Sequence, residues 1–300
     1  MDRPKRRTIV LAFALAAQLV LPSAHAEDYP AQPVRIVIGF IPGSAADITA
    51  RVVGQRMGQI LGQQFIVEGK PGAGSNLAAE FVARAPKDGY TLLLGSSANI
   101  TNAAINPGLS FDLTKDFEPI ALVTAAAVIL VVHPSLGVNS VQELIARAKA
   151  KPGEILYAST GVGTAPHLSG ELFAMRSGAK LVHVPYQGSP QAVTDLLAGR
   201  TSMMFSPASA VVSQVAAGKL KALASAAAKR PSIAPDLPTM AEAGMPDFDT
   251  SIWFGLMAPA GTPRAVIDKL ARAVAEAQAA GEVLAALNPQ GFDPLSGGPE

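Results

Sequence analysis

Short β-branched runs alternate with stretches of helical period along most of the chain. Val34-Arg35-Ile36-Val37-Ile38, bounded by Pro33 and Gly39, predicts a strand. Beyond the small residues from Pro42 to Ala46, Ile48, Val52, Met57 and Ile60 recur at near-helical spacing. A helix is therefore expected to start between Ser44 and Asp47. A strand at 65–68, a glycine loop at 71–75, a helix at 77–84 and a strand at 90–94 follow. This β-loop-α-β-loop-α-β order is the pattern of a parallel sheet covered by helices. Strands at 120–123 and 128–132 come next, then a helix at 141–150. The grammar returns with a strand at 156–158, a loop over 159–166 and a helix at 167–175. Further strands are predicted at 181–184, 202–205, 221–225 and 251–258, with helices at 190–197, 211–217 and 263–280.

The α/β pattern thus occurs twice, first in 30–124 and again in 125–235. Two α/β lobes with strand–loop–helix starts predict a cleft, with ligands at the C-terminal ends of strands. The expected division is a leader at 1–26, lobe 1 at 27–124, lobe 2 at 125–248 and a return to lobe 1 at 249–300. The leader is expected because Arg3, Lys5, Arg6 and Arg7 precede an apolar run over 9–21, closed by Pro22 and by Ala24-His25-Ala26. That is the layout of a secretory signal peptide cleaved after Ala26, and the run is shorter than the ~20 residues of a spanning helix. The mature chain is expected to start at Glu27 and to be soluble outside the cytoplasm. At the other end, Ser296 to Glu300 resembles the start of a helix. The chain is expected to stop before its natural last element.

Composition narrows the chemistry. The chain has 300 residues, 49% of them hydrophobic and 16% charged, which excludes general disorder. Its formal charge of +1 depends on the leader, where four basic side chains face one acid, Asp2. The remainder is slightly acidic and offers no footprint for nucleic acid. There is no cysteine, so disulfide scaffolds, thiolate metal sites and cysteine nucleophiles are excluded. With four histidines, a histidine-rich metal site is not expected, and no cofactor is implied.

Two loops carry candidate chemistry. In Phe40-Ile41-Pro42-Gly43-Ser44-Ala45-Ala46-Asp47, small residues between strand and helix let backbone N–H groups approach an anion. No lysine accompanies them, so a nucleotide phosphate is not indicated. The rival reading is a plain connection in which Asp47 caps the helix. The second loop runs from Tyr157 to His167, with hydroxyls at Ser159, Thr160 and Thr164 and glycines at 161 and 163. Its rival is a glycine-rich turn in which His167 is merely packed. Gly72-Ala73-Gly74 and Gly161-Val162-Gly163 lack the third glycine of a dinucleotide fingerprint, having Leu77 and Pro166 there. His133 and His183 lie in or beside apolar strands, where core or capping roles are the default. An enzymatic alternative is a secreted hydrolase with His167 as base and Ser159 or Thr160 as nucleophile, although no acid is evidently placed to orient the histidine.

A set of ordered motifs adds a resemblance. Tyr29-Pro30, Pro33-Val34-Arg35-Ile36-Val37, Phe40-x-Pro-Gly and Asp47-x-x-Ala-Arg51 open it. Pro86-Lys87-Asp88-Gly89-Tyr90-Thr91, Gly161-x-Gly163-Thr164-x-x-His167-Leu168 and Val184-Pro185-Tyr186-Gln187-Gly188-Ser189 continue it. Trp253-Phe254-Gly255 and Pro259-Ala260-Gly261-Thr262-Pro263 close it. In order and spacing these resemble the tripartite tricarboxylate transporter substrate-binding proteins, the Bug or TctC-like family.

The resemblance implies a two-lobed α/β periplasmic binding protein fold, type II-like, with no enzymatic activity. It implies capture of a small organic carboxylate or amino acid by backbone groups and bridging waters. Delivery would be to the permease subunits of a tripartite tricarboxylate-type transporter or to a sensor, by a monomer. The implied contact residues are Phe40, Pro42, Gly43, Ser44, Ala45, Asp47, Ser97, Ser159, Gly163, Thr164, His167, Tyr186 and Ser206. Asp47 matches an aspartate that can face an amino group in members binding amino acids, so it is expected to line the cleft. Two departures are a serine at position 44, usually glycine, and an expected lack of the usual final strand and helix.

Overall fold

A computed structural model describes residues 29–299. The predicted leader and its cleavage point after Ala26 lie outside the described residues. The first sheet holds β1 (Val34–Ile38), β2 (Phe65–Gly69), β3 (Thr91–Ser96), β4 (Phe117–Ala126), β10 (Ile252–Pro259) and β11 (Phe292–Pro294), in the order β11-β4-β10-β3-β1-β2. The second holds β5 (Val128–Val132), β6 (Leu156–Ser159), β7 (Val182–Pro185), β8 (Met203–Pro207) and β9 (Lys221–Ser225), in the order β7-β6-β8-β5-β9. In each, three parallel strands (β2-β1-β3 and β7-β6-β8) are followed by one antiparallel strand, β10 or β5. Each antiparallel strand is the first one laid down after the chain crosses between sheets. One crossing is the single residue Ala127 between β4 and β5; the other is the segment 226–251.

Helices cover both sheets: α1 (Ala45–Leu61), α2 (Asn76–Ala83), α3 (Ser97–Ile105), α4 (Val141–Ala150), α5 (Ala165–Ser177), α6 (Ser189–Leu197), α7 (Ala208–Ala216), α8 (Arg264–Ala279) and α9 (Gly281–Leu287). The run Val34–Ile38 buries every side chain except Arg35, as a strand between two helical layers must. Helix α8 turns Val266, Ile267, Leu270, Ala273, Val274 and Ala277 inward at helical spacing. They join Ile36, Met57 and Leu92 in one core. In lobe 2, Phe205 stacks on Phe248 with ring centroids 5.6 Å apart, which fastens the returning segment to β8.

Three elements escaped the sequence pattern. Helix α3 buries Ala98, Asn99 and Asn102 while Ile100 and Ile105 are exposed, so its apolar residues do not trace its buried face. Helix α9 is short. A last strand does form, contrary to expectation: β11 pairs antiparallel with β4, with Phe292 fully buried against it. Its proline suits an edge position.

Candidate functional site

Strands β1, β3, β6, β7 and β8 all lead from their C-terminal ends into helices, and those helices start at one place between the lobes. A small inner cavity of about 30 Å³ lies there. Lobe 1 lines it with Phe40, Ser44, Ala45, Ala46, Ser96, Ser97, Ala98 and Phe254; lobe 2 supplies Thr160, Thr164, Ala165, Pro166, Ser189 and Pro207, and Ile252 completes it. These residues include the N-termini of five helices: α1, α3, α5, α6 and α7. The first N–H groups of a helix have no intrahelical partner, and each helix start carries a partial positive charge. No charged side chain lines the cavity. Helix N-termini, and not cationic side chains, are what it offers an anion.

Local chemistry sets each start. Ser44 is extended (ψ 164°), and its hydroxyl accepts from the Asp47 amide at 3.3 Å. At α3, Asn99 Oδ1 accepts from the Ser96 amide at 3.0 Å. At α5, the Thr164 hydroxyl donates to the Gly161 carbonyl at 2.7 Å, tying the loop across its neck. The sequence stretch Gly-Ser/Thr-Ala leads into both α1 and α5, and the glycines have nearly equal left-handed φ, 78° at Gly43 and 77° at Gly163.

An open groove of about 640 Å³ forms the mouth and shares Phe40 and Thr160 with the inner cavity. Neutral amides dominate it: Asn76, Asn102, Asn106, Gln187 and Gln191. The lobes touch at its edges. Asn102 Nδ2 donates to the Ala98 carbonyl at 2.8 Å and lies 3.5 Å from the carbonyls of Gly74 and Val162, the latter across the cleft. Ile41 sits against Gly188, where a Cβ would come within 2.7 Å of its side chain.

The residues implied by resemblance therefore separate. Phe40, Ser44, Ala45, Ser97 and Thr164 line the inner cavity, and Tyr186 lines the groove, its hydroxyl donating to Asp195 at 2.8 Å. Pro42, Gly43, Asp47, Ser159, Gly163, His167 and Ser206 line neither space: Pro42 and Gly43 are exposed, and the others are buried or half-buried around the lining. Ser206 is fully buried and donates to the Pro207 carbonyl. Asp47 differs from the expectation that it faces the cleft. Its Oδ2 accepts from the Gly43 amide at 3.0 Å and its Oδ1 from Arg51 Nε at 2.9 Å. The carboxylate is engaged within its own loop. Asp47→Asn is thus expected to leave affinities for dicarboxylates and for amino acids alike unchanged by calorimetry. Stability should fall by no more than ~1 kcal/mol, because the Arg51 partner is half-exposed.

The periodicity reading missed Ser96, Ala98, Ser189, Pro207, Ile252 and Phe254. The available signal was a hydroxyl beside a helix start: Ser96 ends β3 directly before α3, and Ser189 is the first residue of α6, after Gly188 and before Pro190. The hydrolase alternative finds no support. The imidazole beside Ser159 belongs to His183, with Nε2 2.7 Å from Oγ, and not to His167. Ser159 is fully buried off the cavity, and Glu171 accepts from Tyr157 rather than from either ring.

Comparison with known proteins accords with this architecture. Residues 49–299 match the model of the tripartite tricarboxylate transporter family receptor. Protein BugT of Bordetella pertussis is 35% identical over 302 residues, covering 100% of this chain and 92% of that protein. A Rhodopseudomonas palustris protein solved with adipate is 34% identical, with a TM-score of 0.87 over 91% of each chain. MatC from the same organism, solved with bound malate, is 32% identical, with a TM-score of 0.84 over 88% of this chain and 90% of its own. Sequence, fold and cleft agree: the chain belongs to the tripartite tricarboxylate transporter receptor family, the TctC or Bug family of periplasmic solute-binding proteins.

Proposed function

We propose that the inner cavity takes a carboxylate of a small organic acid, with a dicarboxylate of about four to six carbons as the preferred class. The observation that carries this is the convergence of five helix N-termini on a cavity without a charged side chain. Donors without a countercharge suit a carboxylate that keeps some water; a phosphate would call for a cation. The relatives solved with adipate and malate support the same class. The engagement of Asp47 by Gly43 and Arg51 favours an acid without an amino group.

A cavity of about 30 Å³ has room for one or two waters and not for such an acid. The lobes must part for entry, with Ala127 and the segment 226–251 as the natural hinge. The chain acts as a monomeric binder, exported by its first 26 residues, that hands its acid to the permease subunits of a tripartite tricarboxylate-type transporter. It converts nothing. The test is mass spectrometry of small molecules released by denaturing freshly purified protein. A stoichiometric small organic acid supports the proposal; a phosphorylated or cationic ligand in its place overturns it.

A further inference from the structure

The start of α5 rests on a titratable group. The Gly163 amide donates to His167 Nδ1 at 3.2 Å. That bond needs an unprotonated Nδ1, so the imidazole is neutral and carries its proton on Nε2. Lobe 1 makes the equivalent bond to a carboxylate, from Gly43 to Asp47. The two segments match position for position, Gly43-Ser44-Ala45-Ala46-Asp47 and Gly163-Thr164-Ala165-Pro166-His167. One device thus holds both helix starts, with an imidazole as acceptor in lobe 2.

The surroundings favour the neutral ring. His167 lies 4.4 Å from the His183 ring, which stacks on Tyr157 at 4.8 Å. Two imidazoles in contact titrate as a pair and resist double protonation. The other groups against them are Glu171 of α5 and Tyr157 of β6, joined by a 2.5 Å hydrogen bond in which the phenol donates. Burial lowers the His167 pKa, with Glu171 opposing. Burial, followed by His167, pushes His183 down to about 4, again against Glu171. Folded values below the ordinary one mean that the neutral pair stabilises the fold fully above pH ~6.5. That contribution is lost as pH falls toward about 4.

We propose that His167 is a positioning residue: its neutral ring holds the Gly163 amide, and so presents the N-terminus of α5 and Thr164 to the cavity, and protonation at Nδ1 releases that loop and with it the bound acid. This rests on the reading that the cavity takes an acid. Asn102 packs against Gly163 from lobe 1, closely enough that a Cβ there would lie 2.5 Å from its Nδ2. A released loop therefore also loosens the contact between lobes.

The test uses protein labelled with ¹⁵N at histidine and glycine, titrated from pH 7.5 to 4.5 by NMR. His167 should show a bare Nδ1 at pH 7.5, and the Gly163 amide should shift and lose exchange protection along the same titration curve. A protonated Nδ1 at pH 7.5, or a Gly163 amide indifferent to the ring's titration, overturns the proposal. Calorimetry with adipate and malate supplies the second arm. Affinity should fall about tenfold per pH unit below the pair's first midpoint, in excess of the fall seen for His167→Asn, whose Oδ1 keeps the acceptor without titrating. Equal slopes for the two proteins also overturn it. If neither acid binds, the proposed ligand class fails while the NMR arm still decides the role of His167.

Discussion

Replacing Ser97 by aspartate is expected to abolish acid binding while leaving the fold intact. Ser97 is the first residue of α3 and lines the inner cavity. An acid at a helix start is favourable to the helix itself, so melting should be unchanged or slightly improved. A bound carboxylate would instead meet a like charge ~4 Å away, worth about 4 kcal/mol at an effective dielectric of ~20. That is a loss of about a thousandfold in affinity. Ser97→Asn, without the charge, should cost far less. Calorimetry with one acid on all three proteins checks this. Retained affinity in Ser97→Asp would mean that the anion lies elsewhere.

The second large effect is on stability. Gly39 ends β1 and opens the loop to α1. A Cβ at Gly39 would stand 2.3 Å from the Ser75 Cα, a backbone atom, and 2.0 Å from its Oγ. Ser75 is itself buried with a left-handed φ of 82°, following Ala73 and Gly74 in the same region, so it has little freedom to withdraw. Gly39→Ala is expected to cost about 3 kcal/mol or more, at the upper end of overpacking. Melting should fall by roughly 10 °C for a chain of this size. Gly281→Ala is the control. A Cβ there meets nothing within 4 Å, and alanine favours the helix that starts at this residue. Equal melting points for the two variants would show that Ser75 yields.

What could be read from the sequence follows the physics of each element. Strands such as Val34–Ile38 and Val128–Val132 announce themselves because both their faces are buried and nearly every residue is apolar. Helices α1 and α8 bury one apolar stripe and show its period. Helix α3 could not be found this way, since its inward residues are Ala98, Asn99 and Asn102 and its isoleucines face solvent. Ser96 and Ser97 reached the cavity lining through an element the pattern had left blank.

The two glycine loops were legible as strand-to-helix turns, because small residues and glycines mark a tight connection ahead of a helix start. The direction of the third helical residue was not legible. Asp47 and His167 each turn back to the preceding glycine amide. The repeated Gly-Ser/Thr-Ala-x-Asp/His spacing signals that arrangement only when both lobes are set side by side. The partner of Ser159 was equally hidden, because His183 arrives from a neighbouring strand 24 residues away.

Helix N-termini in a closing cleft are expected to bind a carboxylate without transforming it. Isothermal titration of the purified protein with four- to six-carbon dicarboxylates and with their diamides tests it most directly, with the ligand recovered afterwards. Saturable 1:1 binding of at least one diacid, no detectable binding of its diamide, and recovery of the acid unchanged are expected. Equal binding of acid and diamide, or a chemically altered ligand, would contradict it.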